Sequence, residues 1–169
     1  MKFERYNSFK DSEIDWLDDI PSEWEINKIK QGCSLVRDGT HGSFRRVEQG
    51  YPLLSVRNIK NSIIEFLEDD SFISEEDFNF IASSFKIKEG DLQLAIIGAT
   101  MGKVAIVPKM NPFVTQRSLA TIRTRKWIFN NKYLFYFYIY QTSTINSYSC
   151  LRYLFFYNRN FLINFFCFH

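Results

Sequence analysis

Between residues 50 and 125 the apolar positions fall into short runs separated by polar turns, the pattern of strands in a mixed α and β domain rather than of a helical bundle. Residues 52–59 (PLLSVRNI) and 63–67 are aliphatic-rich and separated by Lys60, Asn61 and Ser62, which predicts two short strands and a turn. Ser74 with Asp77 three residues later forms a weaker version of the capping box. Phe78, Ile81 and Phe85 follow at helical spacing, so a helix is predicted to start there. Gly90 and Asp91 turn the chain, and residues 92–97 and 103–107 read as strand, tight loop, strand around residues 98–102. Pro108 and Pro112 bound another loop, after which residues 118–124 (SLATIRT) alternate like a half-buried strand. Asn130 and Asn131 mark the start of a last helix through Tyr140, although the aromatic residues there suit a strand as well.

Composition sets outer limits on this picture. A chain of 169 residues with 46% apolar content can bury a real core and predicts one domain plus a tail. The polar, acidic run after Met1 has no apolar core of a secretory leader, and the longest apolar block, residues 133–140, is too short to span a bilayer. Cys33, Cys150 and Cys167 include no CxxC pair and have only His41 and His169 as potential metal co-ligands. The expectation is therefore a reducing cytoplasm with no zinc site and no disulfide framework.

Charge is segregated along the chain. Residues 1–30 and 61–90 carry 8 acidic groups each against 5 and 2 basic ones, whereas residues 31–60 carry 5 basic to 2 acidic and residues 91–130 carry 6 to 1. Two glycine-bracketed polar loops, residues 37–46 (RDGTHGSFRR) and 98–103 (GATMGK), fall in the basic windows. Glycine in such loops commonly serves only a turn needing positive φ. The residues between and after Gly39 and Gly42 are Thr40, His41, Ser43, Phe44, Arg45 and Arg46, which supply hydroxyls, an imidazole, an aromatic face and two guanidinium forks with no acid. That mix suits phosphates and base edges together.

Catalytic readings find no support in the residues. His41 has no Ser or Cys nucleophile arranged around it by a motif. The GATMGK loop lacks the P-loop spacing, and Lys103 precedes Val104 rather than a hydroxyl residue. No acid-Pro-Pro-aromatic segment of a methyltransferase occurs. The acids from Glu68 to Asp77 surround a helix start, where they complement the helix dipole rather than form a Mg²⁺ site.

Stretches matching one family occur in order between residues 11 and 140. The first, residues 11–25, contains Trp16, Leu17, Ile20, Pro21 and Trp24 in a W-[LI]-x-x-I-P-x-x-W arrangement. Asp38-Gly39-Thr40-His41 precedes Gly50-Tyr51-Pro52-Leu53. Gly90-Asp91 precedes a G-x-x-x-GK-x-A-[IV] hairpin over residues 98–107, and Gln116-Arg117 precedes Asn131-Lys132-Tyr133-Leu134. The chain thereby resembles the target-recognition half of a type I restriction-modification specificity (S) subunit.

The resemblance implies an α+β globule with a curved, mostly antiparallel sheet and a few helices. Residues 1–25 would be the lead-in segment and residues 26–142 the target-recognition domain. It implies a noncatalytic DNA-binding role within a restriction system. Modification (methyltransferase) subunits would dock on it and methylate adenine with S-adenosylmethionine, and restriction subunits would supply ATP- and Mg-dependent translocation and cleavage. The DNA-facing candidates are Thr40, His41, Ser43, Phe44, Arg45, Arg46, Thr100, Met101, Lys103 and Arg117. A standalone DNA-binding regulatory module and the recognition part of a fused methyltransferase-nuclease are the alternatives. Ile96-Ile97 stands where the family often has a polar pair. The family's L-P-P-L-x-E-Q motif and long spacer helix are absent after Gln141. Residues 143–169 instead form an aromatic tail without Asp, Glu, Gly or Pro, which is expected to be out-of-frame sequence following a C-terminal truncation.

Overall fold

A computed structural model describes residues 6–13, 18–97, 100–125, 128, 130–144, 153–157 and 161–162. In chain order the first strands are β1 (Phe9–Lys10), β2 (Ile20–Pro21), β3 (Trp24–Lys28), β4 (Cys33–Asp38), β5 (Tyr51–Leu54), β6 (Ile59–Lys60), β7 (Ile63–Ile64) and β8 (Phe72–Ile73). Helix α1 (Glu75–Ser84) leads to β9 (Leu92–Ala95), β10 (Val104–Ile106), β11 (Val114–Thr115) and β12 (Leu119–Thr124). Helix α2 (Asn131–Thr144) precedes β13 (Tyr153–Tyr157) and β14 (Phe161–Leu162). The chain divides into two compact units. One is Gly32–Asn146, and the other combines Met1–Gln31 with Ser147–His169. In the latter, β1 pairs antiparallel with β2, and β13 pairs antiparallel with both β3 and β14.

The Gly32–Asn146 unit is mixed α and β with mostly antiparallel pairing. Its main sheet has the order β10-β9-β12-β4, a second sheet has the order β11-β5-β8, and β6 and β7 form a hairpin. Only the β11–β5 pair among these is parallel. The period-2 alternation of β5 divides its side chains between two clusters. Leu53 joins Ile73, Phe78, Ala82 and Val114 beneath α1, while Leu54 joins Ile59, Ile64, Ala105, Phe113 and Leu119. Each leucine, isoleucine, valine or phenylalanine among these, once fully buried, contributes about 1.5–3 kcal/mol.

The α1 start follows the predicted chemistry, since the Ser74 hydroxyl accepts from the Asp77 N–H at 3.1 Å and acids fill the first turn. The last predicted segment is helical. Asn130 Oδ1 accepts from the Tyr133 N–H at 3.0 Å, and Asn131 bonds back to the Thr124 N–H at 3.0 Å and to the Gly90 carbonyl.

Two expectations are corrected. Residues 52–59 are not one strand, because a 3-10 turn at Val56–Asn58 breaks the run between β5 and β6. The cause is a side-chain network. Asn58 Nδ2 donates to both carboxylate oxygens of buried Asp70 at 2.9 and 2.8 Å and to the Glu65 carbonyl at 3.0 Å, and its Oδ1 accepts from the Ser55 N–H at 3.0 Å. Residues 118–124 are not half-buried. Leu119, Ala120, Thr121, Ile122 and Thr124 are all buried, since β12 lies between two strands and its polar Thr121 is hydrogen-bonded to Gln93 at 2.9 Å.

Candidate nucleic-acid interface

β4 and β9 both run antiparallel to β12 between them, so they run parallel to each other, and their C-terminal ends share one end of the sheet with the start of β12. Asp38 lies opposite Ala120, and Ala95 lies opposite Leu119. The loop after Asp38, the loop joining β9 to β10 and residues 116–118 therefore emerge at a single edge, although they are far apart in sequence.

Backbone hydrogen bonds tie the bases of these loops together. The Gly39 N–H donates to the Leu119 carbonyl at 2.8 Å and the Thr40 N–H to the Thr115 carbonyl at 2.7 Å. The Arg117 N–H donates to the Thr40 carbonyl at 3.1 Å, and the Ile96 N–H to the Ser118 carbonyl at 3.0 Å. Gly39 is required by close approach, since a Cβ there would collide with the backbone carbonyl oxygens of Gln116 and Thr115. Positive φ is not its reason; among the described glycines it occurs at Gly90 and Gly102.

The candidate side chains divide by what they touch. Thr40 Oγ1 accepts from the Gly42 N–H at 3.2 Å, which folds the loop onto itself. His41 is exposed with Nε2 at 3.9 Å from Asp38 Oδ2, and Ser43 is exposed beside it. Phe44 is half-buried and packs on the cluster beneath α1, so it anchors the loop. Arg46 is exposed, but its Nη1 donates to the Phe44 carbonyl at 2.7 Å. Arg45, Lys103 and Arg117 are exposed cations with no acidic partner among the described residues. Thr100 is half-buried and Met101 exposed at the β9–β10 connection, where Gly98 and Ala99 lie outside the described residues.

The acidic stretch has a different role. Arg57 bonds Asp69 Oδ2 at 2.5 Å and Asp70 Oδ1 at 3.0 Å, and its hydrogen bond holds the Asp69 carboxyl below its ordinary range. Among the described residues no group of three or more His, Cys, Asp or Glu is arranged to hold a metal ion. Cys33 is buried, and desolvation pushes its thiol up to about 12 despite the opposing field of Arg125, which makes it a core residue rather than a nucleophile. No described helix is long and apolar enough to cross a membrane.

Exposed cations and hydroxyls thus share one end of a mostly antiparallel mixed sheet, on the loops that leave it. The chain belongs to the type I restriction modification DNA specificity domain family, whose model matches residues 21–153. It is 26% identical over 144 residues to the type I restriction enzyme MjaX specificity subunit of Methanocaldococcus jannaschii, covering 80% of this chain and 32% of that protein. The crystal structure of the HsdS subunit from Thermoanaerobacter tengcongensis shares the fold with a TM-score of 0.53 at 14% identity, over 80% of this chain and 31% of that one. The chain thus spans about a third of the length of these relatives.

Proposed function

We propose that this chain reads DNA sequence as the noncatalytic target-recognition part of a type I restriction-modification complex. The observation that carries the reading is the convergence of three loops at one end of the β10-β9-β12-β4 sheet, with Arg45, Lys103 and Arg117 exposed on them. Arg and Lys neutralise phosphates and fix the register on a duplex, while hydroxyl and imidazole groups such as those of Ser43 and His41 reach base edges. The chemistry belongs to partners in this reading. Modification subunits bind S-adenosylmethionine and methylate adenine, restriction subunits use ATP and Mg²⁺ to translocate and cleave, and the chain itself needs no cofactor. Residues 26–142 carry the recognition, in a cytoplasmic setting.

The test is selection of bound duplexes from a randomised pool at fixed salt by the full chain, with and without purified modification subunit. Enrichment of one short half-site is the expected result. Binding without enrichment would reduce the edge to a basic surface, and no binding in either condition would overturn the reading. Enrichment that is indifferent to the modification subunit would instead favour a standalone DNA-binding module.

A further inference from the structure

The β6–β7 hairpin brings its turn, which the sequence marks as Lys60-Asn61-Ser62, beside the β9–β10 connection. Ile59 pairs with Ile64 and Lys60 with Ile63, which leaves Asn61 and Ser62 as a two-residue connection. Their φ values are 49° and 63°, the left-handed pair that a tight hairpin of this hand demands. Asparagine tolerates that region, but at the second position glycine is the unstrained choice and Ser62 holds it at a cost. With the turn, Thr100, Met101, Gly102 and Lys103 line an open groove of about 250 Å³ that Ile59, Val104 and Ile139 of α2 also line.

The groove's chemistry is narrow. Asn61 is exposed, and among the described residues its amide makes no hydrogen bond, so both its donor and its acceptor are open. Met101 is 37% exposed on the opposite wall and belongs to neither core cluster, so its thioether is an apolar group open to a ligand. Lys103 is exposed at the rim without an acidic partner. A carboxamide is the side chain that pairs with the adjacent donor and acceptor of adenine in the major groove, and an apolar group is what the thymine methyl takes as a neighbour. A rim cation fits the flanking phosphate.

We propose that this groove is a base-reading site selecting an A·T pair, with Asn61 on the adenine edge, Met101 against the thymine methyl and Lys103 on the adjoining phosphate. The inference rests on the DNA-recognition reading above and deepens it by naming a site and its base-pair class. Lys60 is outside the site, since it does not line the groove.

The experiment uses the full chain, with modification subunit where binding needs it, and begins from the half-site that the unaltered protein enriches. Replacing each thymine of that half-site by uracil, one at a time, removes single methyl groups while leaving the protein intact. One position is expected to lose affinity, and that position is expected to relax from A·T toward any base in selections with Asn61→Ala or Met101→Ala. The loss of discrimination there should be about fivefold or more. Lys103→Ala should weaken all duplexes alike without changing the half-site. If the unaltered protein enriches a half-site but no uracil substitution matters, the A·T site is overturned while DNA recognition stands, and the same holds if both variants keep the full preference. If the unaltered protein enriches nothing, the recognition reading itself fails and the site falls with it.

Discussion

Arg123→Ala is expected to destabilise the protein more than Asp91→Ala, although both remove the same ion pair. The Arg123 guanidinium donates to Asp91 Oδ1 at 2.7 Å and Oδ2 at 2.6 Å, and also to the Lys86 carbonyl at 2.8 Å. Asp91 Oδ2 accepts in addition from the Lys88 N–H at 2.8 Å. The Asp91 side chain is 2% exposed and the Arg123 side chain 28%. Removing the arginine leaves a carboxylate buried with one N–H for company, a loss of about 3–5 kcal/mol. Removing the aspartate leaves a guanidinium that water can partly reach and that keeps its carbonyl, so the loss is about 1.5–3 kcal/mol. For a chain of this size the larger loss corresponds to a fall in Tm of roughly 10 °C. Thermal unfolding followed by far-UV circular dichroism on the full chain measures both. A cost below about 1 kcal/mol for Arg123→Ala, or the reverse order of the two variants, would refute the reasoning, since a pair this buried cannot be lost so cheaply. The pair also lies at the far end of β12 from the reading loops, about 13 Å along the strand at ordinary β rise, so the selected DNA target should be unchanged in either variant that remains folded.

Gly39→Ala adds a methyl group against backbone oxygens that cannot swing aside, and is expected to cost about 1–3 kcal/mol and to weaken DNA binding; an unaltered Tm would show that the loops do not approach as described. Alanine at Arg45, Lys103 and Arg117 together should lower the slope of log K against log salt by about 2.7, one phosphate contact each, whereas Arg46→Ala should matter less because its guanidinium is engaged by Phe44; filter binding across a salt series decides it. Cys33 should resist alkylation at pH 8 in the folded protein. Its folded-state pKa is raised from 9.0 to about 12, so the unfolded chain gives up the proton first and stability is lost as pH climbs through that window. Rapid labelling of Cys33 under native conditions, read by peptide mass spectrometry, would contradict its burial.

Local chemistry was legible wherever a side chain acts within a few residues. The Ser74 cap and the β9–β10 pairing follow from spacing alone, because each depends on neighbours in sequence, whereas the segment from Asn130 read as either helix or strand and the Asn130 side chain's bond to the Tyr133 N–H goes with the helix. The 3-10 turn at Val56–Asn58 was not legible, since it is held by Asp70 twelve residues beyond Asn58, and no local propensity reports such a partner. β12 was misjudged because Thr121 and Thr124 read as polar, while sheet order buries both and sets the Thr121 hydroxyl against Gln93. For the site, the residue types of the glycine loops could be read directly, and the ordered motifs carried the family. Their convergence with Arg117 depends on the order β10-β9-β12-β4, which is set by long-range pairing. The role of Gly39 was hidden for the same reason, its neighbours being Thr115 and Gln116.

The bonds that join the three loops at this end of the sheet are backbone to backbone, and this separates the shape of that edge from the identity of what it displays. Leu119, Thr115, Thr40 and Ser118 contribute carbonyls, and Gly39, Thr40, Arg117 and Ile96 contribute N–H groups. Any side chain compatible with those conformations can therefore be carried at the exposed positions without moving the strands. Ser43, Arg45 and Met101 are exposed and take no part in that bonding, so exchanging them for other polar or apolar residues is expected to change stability by no more than about 0.5 kcal/mol each. Changes at Phe44, packed against the cluster beneath α1, should not be so tolerated. The check is a pairing of Tm with target selection across a small set of variants at Ser43, Arg45 and Met101. Constant Tm with altered half-sites would establish a rigid frame carrying interchangeable readers. A Tm that falls with every exchange would mean that the exposed side chains hold the edge together, and that recognition and folding are not separable in this domain.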